Sequence, residues 1–497
     1  MNLPLVYIIV LAAYFVLLIM IGFITQRSTK STSDYHIGNR NIGPWVSALS
    51  FVSAYYSSVV IIGGGGFGYK FGLTTLWIAA INVLLGCFLA WVVLGKRTLA
   101  LTKKLNAITL PDFLAKRYQL PFARVFISLV IALFLIVYNV SILKGLGDTF
   151  NVLLNIRYEW GVFISGLIVV IYVTFGGYLA VVWTGFIQGI IMFVSMGLLL
   201  WKTLQVTGGL TAGVVALKAM DKGLVETPGL WGFPGMISYV LVVSLGVWGM
   251  PQMLARFYSI KNNKAIRNGA LIASVGAAMA FVPYLVGALA RTKLPLTDPA
   301  LMKNADLAIP MLAKAYLPPI VIALFFIGVI AAGMSTFSAV LIISAGATVR
   351  DLIKDSFKSK INDKMEIRWS MVCSLIVGLI SMALALKPPG LVLQLTAFSW
   401  AVIASACLIP FLFGLYWNRT TKTGVIASMV GGFLVSIGWM LLQQILKSKG
   451  PLQGIYQYHG FIPGVLASFI LMVVVSWTTK DIVSIPTMDQ KRNKLNV

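Results

Sequence analysis

Long apolar stretches alternate with short polar segments along almost the whole chain. Because a helix needs about 20 mostly apolar residues to cross a bilayer, we count thirteen candidate membrane-spanning helices in the 497 residues. In chain order, spans 1 to 13 are Leu5–Ile24, Trp45–Phe67, Thr74–Leu94, Val125–Leu146, Val162–Tyr178, Thr184–Leu204, Met236–Arg256, Ala270–Ala290, Ile320–Ala347, Ser370–Leu386, Leu391–Trp417, Val425–Leu446 and Phe461–Trp477. The pattern predicts an all-α polytopic membrane protein whose loops are too short to hold a second domain.

Composition and charge support a membrane location. Hydrophobic residues make up 59% of the chain and charged ones 11%, against about a quarter charged in soluble proteins. With the N-terminus outside, Lys and Arg are about twice as abundant on the inner side, as the positive-inside rule requires. We therefore expect a multi-pass plasma-membrane protein with a cytoplasmic C-terminus. Its net charge of +25 reflects basic inner loops that face anionic lipid, and we expect no binding of nucleic acid.

Ionisable groups suited to chemistry are missing from the predicted spans. All acidic residues and both histidines, His36 and His459, fall in loops or at span ends. Proton-driven carriers usually place such a residue within the membrane, so the pattern argues against a conventional proton relay. The spans also hold no His-Glu metal motif, no Cys pair at ligand spacing and no Ser-His-Asp set. We do not expect an enzyme.

Two spans carry residues that interrupt helices. Span 2 contains four consecutive glycines, Gly63 to Gly66, and span 7 contains Gly246, Gly249 and Pro251. Each alone is explained equally well by close packing or a kink. The two spans are five apart, however, and interruptions at corresponding positions of two halves are typical of inverted-repeat transporters. The spacing predicts a core of five plus five helices.

Span 9 contains a polar face. Ala332, Ser335 and Thr336 stand at i, i+3 and i+4, so they share one side of a helix. A carbonyl and two hydroxyls form a neutral, hard oxygen set that suits a small monovalent cation such as Na⁺. Taken alone, the motif is explained more often by hydroxyls that bond to their own helix or to a neighbouring one. Together with the interrupted spans, it favours a transporter with a sodium site.

The chain resembles the sodium/solute symporter family, whose members adopt the LeuT-type inverted-repeat fold with extra flanking helices. The matching segments extend over nearly the whole length: Asp34–Arg40, Gly68–Gly72, Tyr172–Tyr178 with Trp183-Thr184, Pro251–Phe257, and Tyr316–Pro319 leading into Ala332–Thr336. Further segments look most like the pantothenate and proline branch: Leu94–Arg97, Asn106–Leu110, Lys387–Pro389 and Gly414–Trp417. The resemblance implies a core of two repeats, residues 41–205 and 236–418, flanked by residues 1–30 and 424–478 and followed by a cytoplasmic tail, 479–497.

The resemblance also implies a ligand set for Na⁺. The family's positions correspond to the backbone carbonyls of Ser53 and Tyr56 in span 2, and to the Ala332 carbonyl and the Ser335 and Thr336 hydroxyls in span 9.

Two positions depart from the family pattern. Tyr55 replaces an aspartate of the proline carriers, and Gly185 replaces an aspartate thought to help sodium leave. A proton-coupled or facilitative carrier of the same fold is therefore an alternative.

Candidates for the substrate site lie near the interruptions. They are Tyr55, Ser57, Asn139, Trp248 and Gln252, with Ser58 and Tyr138 beside them; for Tyr138 we favour a packing role. Helix ends at an interruption can present backbone N–H groups to a carboxylate without an arginine. We expect Na⁺-coupled uptake, by alternating access, of a small solute such as pantothenate, proline or a monocarboxylate, with a neutral sugar as an alternative. A non-transporting sensor or channel is less favoured, and no obligate protein partner is expected.

Overall fold

The computed structural model describes residues 5–27, 31–38, 42–295, 297–357, 361–448 and 457–484. Over these residues the chain is helical apart from turns and two isolated β-bridges, Ile42–Ile260 and Thr421–Ile482. The prediction of an all-α chain is confirmed. The ends of the predicted first flanking region, part of the segment between the last two helices, and most of the predicted tail lie outside the described residues.

The helices run along the whole described chain. They are α1 Leu5–Gln26, α2 Thr32–Ile37, α3 Pro44–Tyr55, α4 Gly64–Phe71, α5 Leu76–Ile81, α6 Gly95–Lys104, α7 Leu110–Tyr118, α8 Pro121–Leu154, α9 Tyr158–Thr207, α10 Leu210–Met220, α11 Gly232–Ser244, α12 Pro251–Ser259, α13 Asn263–Ala277, α14 Phe281–Ala290, α15 Pro299–Lys303, α16 Ala308–Tyr316, α17 Pro319–Ala345, α18 Asp363–Ala385, α19 Val392–Tyr416, α20 Lys422–Ser448 and α21 Phe461–Thr478. Segments of π-helix at Val59–Gly63, Asn82–Leu94 and Gly346–Ser356 continue neighbouring α-helices.

Eleven helical stretches in the described residues are long and apolar enough to cross a membrane. Two of them contain more than one predicted span. Val59–Lys104 holds the second part of span 2 and all of span 3. Tyr158–Thr207 holds spans 5 and 6, and Gly177 divides it with φ +59° and ψ −152°, values outside any helix. The thirteen predicted spans are consistent with this arrangement.

Span 2 is interrupted before its glycines. Helix α3 ends at Tyr55, Tyr56 has φ −81° and ψ 81°, and the helix resumes at Val59. The run from Gly63 to Gly66 is itself helical, contrary to the expectation that it breaks the span. The alternative, that these glycines allow close packing, fits the structure, because α14 lies directly against them. A Cβ on Gly287 of that helix would lie 2.0 Å from the carbonyl oxygen of Gly65.

Span 7 is interrupted where the sequence predicts. Helix α11 passes into a 3₁₀ turn at Gly246–Gly249, and Met250 is extended with φ −80° and ψ 119°. Pro251 then starts α12 in its first turn. At this position the missing N–H of proline costs the helix no hydrogen bond. Spans 2 and 7 are therefore both broken helices.

Helices α17 and α19 form the centre of the molecule. They are the membrane helices with the largest buried share, whereas α1, α20 and α21 expose most of their apolar side chains. Helix α17 contacts α3, α8, α9 and α18. The polar face of span 9 is thus directed into the protein and away from lipid.

Candidate sodium and substrate sites

The hydroxyls of span 9 join α17 to the end of α3. Ser335 Oγ donates to the Ser53 carbonyl at 2.7 Å and to the Ala332 carbonyl at 2.8 Å. Thr336 Oγ1 donates to the Ala54 carbonyl at 2.9 Å and to the Ala332 carbonyl at 3.3 Å. All five residues are buried. The hydrogen bonds therefore gather five oxygen atoms from two helices.

This contact depends on where α3 ends. The last carbonyls of a helix have no partner within it. Here the Tyr56 N–H donates to the carbonyl of Val52, and Ser53 and Ala54 are the next two residues. Their carbonyls accept instead from the hydroxyls of α17. The break in span 2 thus creates free carbonyl oxygens beside the polar face of span 9.

The five oxygen atoms have the chemistry that Na⁺ requires. Three are backbone carbonyls and two are hydroxyls, each of which can turn its proton away and offer a lone pair to a cation. Groups of His, Cys, Asp and Glu that could hold a transition metal are absent from the described residues. A neutral set of hard oxygens suits a small monovalent ion.

The arrangement differs from the predicted ligand set at one place. Ser53, Ala332, Ser335 and Thr336 come together, and Ala54 joins them, which sequence reasoning missed. Tyr56 lies at the helix break, and its hydroxyl donates to the Ala277 carbonyl of α13. The Tyr56 carbonyl is not among the atoms that the two hydroxyls contact, so its role as a ligand stays a prediction.

Gly185 faces the same site. A Cβ at this position would lie 2.9 Å from Ser50 Oγ and 3.0 Å from Ser53 Oγ. Any side chain here would therefore contact the hydroxyls of Ser50 and Ser53 on α3. The aspartate that the family resemblance implies at this position would place its negative charge beside these two hydroxyls, next to a residue whose carbonyl belongs to the five oxygen atoms.

An aromatic cluster adjoins the break in span 2. Tyr55 stacks on Phe51 with the ring centroids 6.1 Å apart, and its hydroxyl bonds to Asn82 and to the Val243 carbonyl. Trp400 of α19 lies 6.3 Å from the Tyr55 ring and 5.6 Å from the Tyr138 ring. Sequence reasoning missed Trp400, since one aromatic residue within an apolar span gives no signal. Tyr138 packs as expected.

The other predicted substrate residues have different surroundings. Ser57 lies within the break and accepts from the Val59 N–H at 3.1 Å, so it caps the resumed helix. Trp248 lies in the second break, and its Nε1 donates to the Leu85 carbonyl at 2.9 Å. Its indole therefore ties span 7 to span 3.

Asn139 and Gln252 carry amides with unsatisfied hydrogen-bonding capacity. Both are buried, and within the described residues neither side-chain nitrogen nor oxygen of either amide has a hydrogen-bond partner. Leaving such a group unpaired costs about 1–3 kcal/mol. Each amide is therefore available to a solute or to water, as the substrate prediction requires.

A buried ion cluster lies toward the C-terminal end of α8. Lys144 Nζ lies 2.8 Å from Asp148 Oδ2 and 2.8 Å from Asp306 Oδ2, and it also donates to Asn304 Oδ1 at 3.3 Å. Asp306 in turn accepts from the Val392 N–H, the first residue of α19, at 2.9 Å. One lysine therefore connects α8, the turn before α16 and the start of α19.

Relatives of known name cover nearly the whole chain. A transporter from Bacillus subtilis described as the osmoregulated proline transporter OpuE is 29% identical over 476 residues, with 95% of each chain covered. A sodium/proline symporter from Staphylococcus aureus is 30% identical over 486 residues, with 95% of this chain and 92% of the relative covered.

Solved structures show the same fold. A Na⁺-coupled sialic acid symporter in a substrate-bound, outward-open state superposes with a TM-score of 0.78 at 16% identity, covering 96% of this chain and 99% of that one. Mhp1, a nucleobase-cation-symport-1 family transporter, superposes with a TM-score of 0.55 at 14% identity, covering 94% of this chain and 100% of that one. These likenesses confirm the LeuT-type architecture. The family model of the sodium:solute symporters matches residues 35–432, and this chain therefore belongs to the sodium:solute symporter family.

Proposed function

We propose that this protein imports a small carboxylate-bearing solute together with Na⁺, and that Ser53, Ala54, Ala332, Ser335 and Thr336 bind the ion. The observation that carries the proposal is the pair of hydrogen bonds from the α17 hydroxyls to the freed carbonyls of α3. The carbonyls belong to the broken helix of the first predicted repeat, and the hydroxyls belong to a helix of the second.

Such a site can couple ion binding to a change of shape. Its oxygen atoms belong to two helices, so the ion binds tightly only where α3 and α17 stand at one separation. An ion that prefers one arrangement of two states shifts the population toward it. Bound sodium then favours the state in which the solute site is complete, and its loss allows the helices to move apart. This is the coupling that symport by alternating access requires.

For the solute, we propose proline first, then pantothenate or a short monocarboxylate. Two relatives across nearly the full length are named as proline carriers. The aromatic cluster around Trp400 offers an apolar wall for a small ring or chain. The unpaired amide of Asn139 and the chain ends at the two breaks offer polar contacts. Tyr55 and Ser57 border the first break, and Trp248 and Gln252 the second.

A transport assay tests the solute and the coupling separately. Proteoliposomes with the purified protein are given labelled proline, pantothenate or lactate, each with external sodium or external choline. Uptake of one solute that needs sodium supports the proposal. Uptake that is equal in both salts but rises with an acid exterior favours the alternative, a proton-coupled carrier, which the missing carboxylate at Gly185 motivates. Counterflow of preloaded solute distinguishes either carrier from a channel.

We also propose the membrane orientation and the division into repeats. The N-terminus lies outside, the C-terminus lies in the cytoplasm, and residues 41–205 and 236–418 form the two repeats. The positive-inside bias supports the orientation, and the breaks in spans 2 and 7 support the division. Labelling of a single cysteine introduced into the exposed loop at Lys222, with a reagent that cannot cross the membrane, tests it. Labelling in intact cells is expected, and labelling only after lysis contradicts the orientation.

A further inference from the structure

Arg256, near the end of α12, is a buried cation that has no counterion among the described residues. It is 1% exposed, and its Nε and Nη1 have no hydrogen-bond partner. Among the ion pairs of the described residues none involves Arg256, and the Tyr178 ring lies 5.3 Å from its guanidinium carbon. A buried charge is expensive unless it is paired and hydrogen-bonded. Within the described residues no acidic side chain pairs with this charge, so the guanidinium can accept a further partner.

Arg117 shows how this protein satisfies a buried guanidinium elsewhere. It is equally buried, and its nitrogens donate to backbone carbonyls of Gly414 at 2.8 Å and Val483 at 2.9 Å. Arg256 has no comparable set of acceptors. Burial alone therefore does not leave a guanidinium unpaired in this protein, and the unpaired nitrogens of Arg256 reflect its particular surroundings.

Other unpaired donors lie on α12 and on the helix that packs against it. Gln252 lies one turn earlier on the same side of α12, and both of its amide atoms lack partners. Helix α3 packs against α12, with the rings of Phe51 and Phe257 6.2 Å apart. Two hydroxyls on α3 also lack partners, those of Ser47 and Ser50. We call Ser47, Ser50, Gln252 and Arg256 the inner polar cluster.

The inner polar cluster has the character of an anion site. All four side chains can donate hydrogen bonds, and the only charge among them is positive. Residues i and i+4 lie about 5–6 Å apart on a helix, so one small anion can accept from both Gln252 and Arg256. The adjoining side of α12, at Pro251 and Ala255, borders a small cavity of ≈ 20 Å³, enough for about one water molecule.

The cluster continues from the sodium face, the name we give to the five oxygen atoms of Ser53, Ala54, Ala332, Ser335 and Thr336 described above. Ser47, Ser50 and Ser53 are spaced by three residues and lie along one side of α3. Ser53 contributes a carbonyl to the sodium face, and Arg256 lies toward the end of α12 that we place at the cytoplasmic side. An anion bound by Arg256 would then lie on the cytoplasmic side of bound sodium.

We propose that the inner polar cluster binds a small monovalent anion, either the carboxylate group of the transported solute as it leaves or chloride. The carboxylate case rests on the proposed function, whereas the binding of chloride does not. In both cases Arg256 supplies the charge, and Gln252 and the two serines complete the hydrogen bonds. The bound anion removes the cost of the buried charge and so stabilises the protein.

Thermal unfolding of the full-length purified protein tests the site without any transport. The wild type is titrated with sodium chloride or sodium acetate at constant sodium, with the large sulfonate MES as the replacing anion. We expect the unfolding midpoint to rise with either small anion. In Arg256→Gln the apparent affinity for the anion falls at least about tenfold, so the rise is lost at the concentrations that are effective with the wild type. This is expected on removing one partner of a buried charged hydrogen bond. In Arg256→Lys, which keeps the charge, part of the rise returns.

A matched control separates this effect from damage to the fold. Arg117→Gln removes a guanidinium that carbonyls already satisfy, so it lowers the midpoint but leaves the anion dependence unchanged. A response to both chloride and acetate indicates a general anion site, and a response to acetate alone indicates a carboxylate site. If the wild type responds to neither, or if Arg256→Gln keeps the full response, the proposal is wrong. Sodium-dependent uptake, measured separately, decides the proposed function.

Discussion

The ion cluster around Lys144 allows a quantitative prediction about stability. Lys144 lies 2.8 Å from two carboxylates, and the side chains of Lys144, Asp148 and Asp306 are 7%, 10% and 0% exposed. Substituting Lys144→Met removes the cation and leaves two neighbouring carboxylates without a counterion. Breaking a buried ion pair in this way costs about 3–5 kcal/mol. We expect the free energy of unfolding to fall by that amount.

The assay is denaturant and thermal unfolding of the purified protein in detergent, with an exposed ion pair as the control. Lys218 and Glu226 form such a pair, with side chains 55% and 56% exposed, and Lys218→Met is expected to cost less than about 1 kcal/mol. Adding Asp306→Asn to Lys144→Met should recover part of the loss, because one of the two unpaired charges is then gone. The reasoning is refuted if Lys144→Met is no more harmful than Lys218→Met.

Three further predictions concern single positions. Gly287→Ala should strongly reduce the amount of folded protein, because its Cβ would lie 2.0 Å from a backbone oxygen of α4. Gly197→Ala should be tolerated, because the space around its Cβ is open. Fluorescence-detected size-exclusion chromatography compares the amounts of the two folded variants. Gly185→Asp should raise the apparent affinity for Na⁺ at least about tenfold by placing a carboxylate beside Ser53, and unchanged sodium dependence of uptake would show that the position does not act on the ion. Burial lowers the pKa of His459 to about 4, so the folded protein binds this proton less readily than the unfolded chain. The contribution of neutral His459 to stability is therefore full above about pH 6.5 and is lost as the pH falls toward 4. The free energy of unfolding of His459→Asn, measured against pH, should fall less steeply over that range than that of the wild type.

The sequence predicts the helical architecture well because bilayer spans require long apolar runs. It also predicts the face with Ser335 and Thr336, since three positions on one side of one helix follow from helical spacing alone. The broken helix at Pro251 is predictable for a similar local reason, because proline cannot continue a helix that precedes it.

Contacts between distant segments could not be predicted in this way. Lys144 and Asp306 are 162 residues apart, and no local pattern shows that they pair. The glycines from Gly63 to Gly66 are expected to interrupt span 2, yet they are helical, and their small size allows α14, distant in sequence, to pack directly against them. Ala54 contributes a carbonyl only because α3 ends at Tyr55, and an alanine side chain gives no signal for a backbone ligand.

The sodium dependence of uptake in Ser335→Ala and Thr336→Ala tests the central claim most directly. Ser338→Ala is the matched control, because this hydroxyl on the same helix donates to the Ser335 carbonyl at 2.8 Å and makes no contact with α3 among the described hydrogen bonds. Our account predicts that both site variants need at least about tenfold more sodium for half-maximal uptake, as expected for the loss of one ligand of a buried ion, while the control resembles the wild type. Unchanged sodium dependence in both site variants would contradict it.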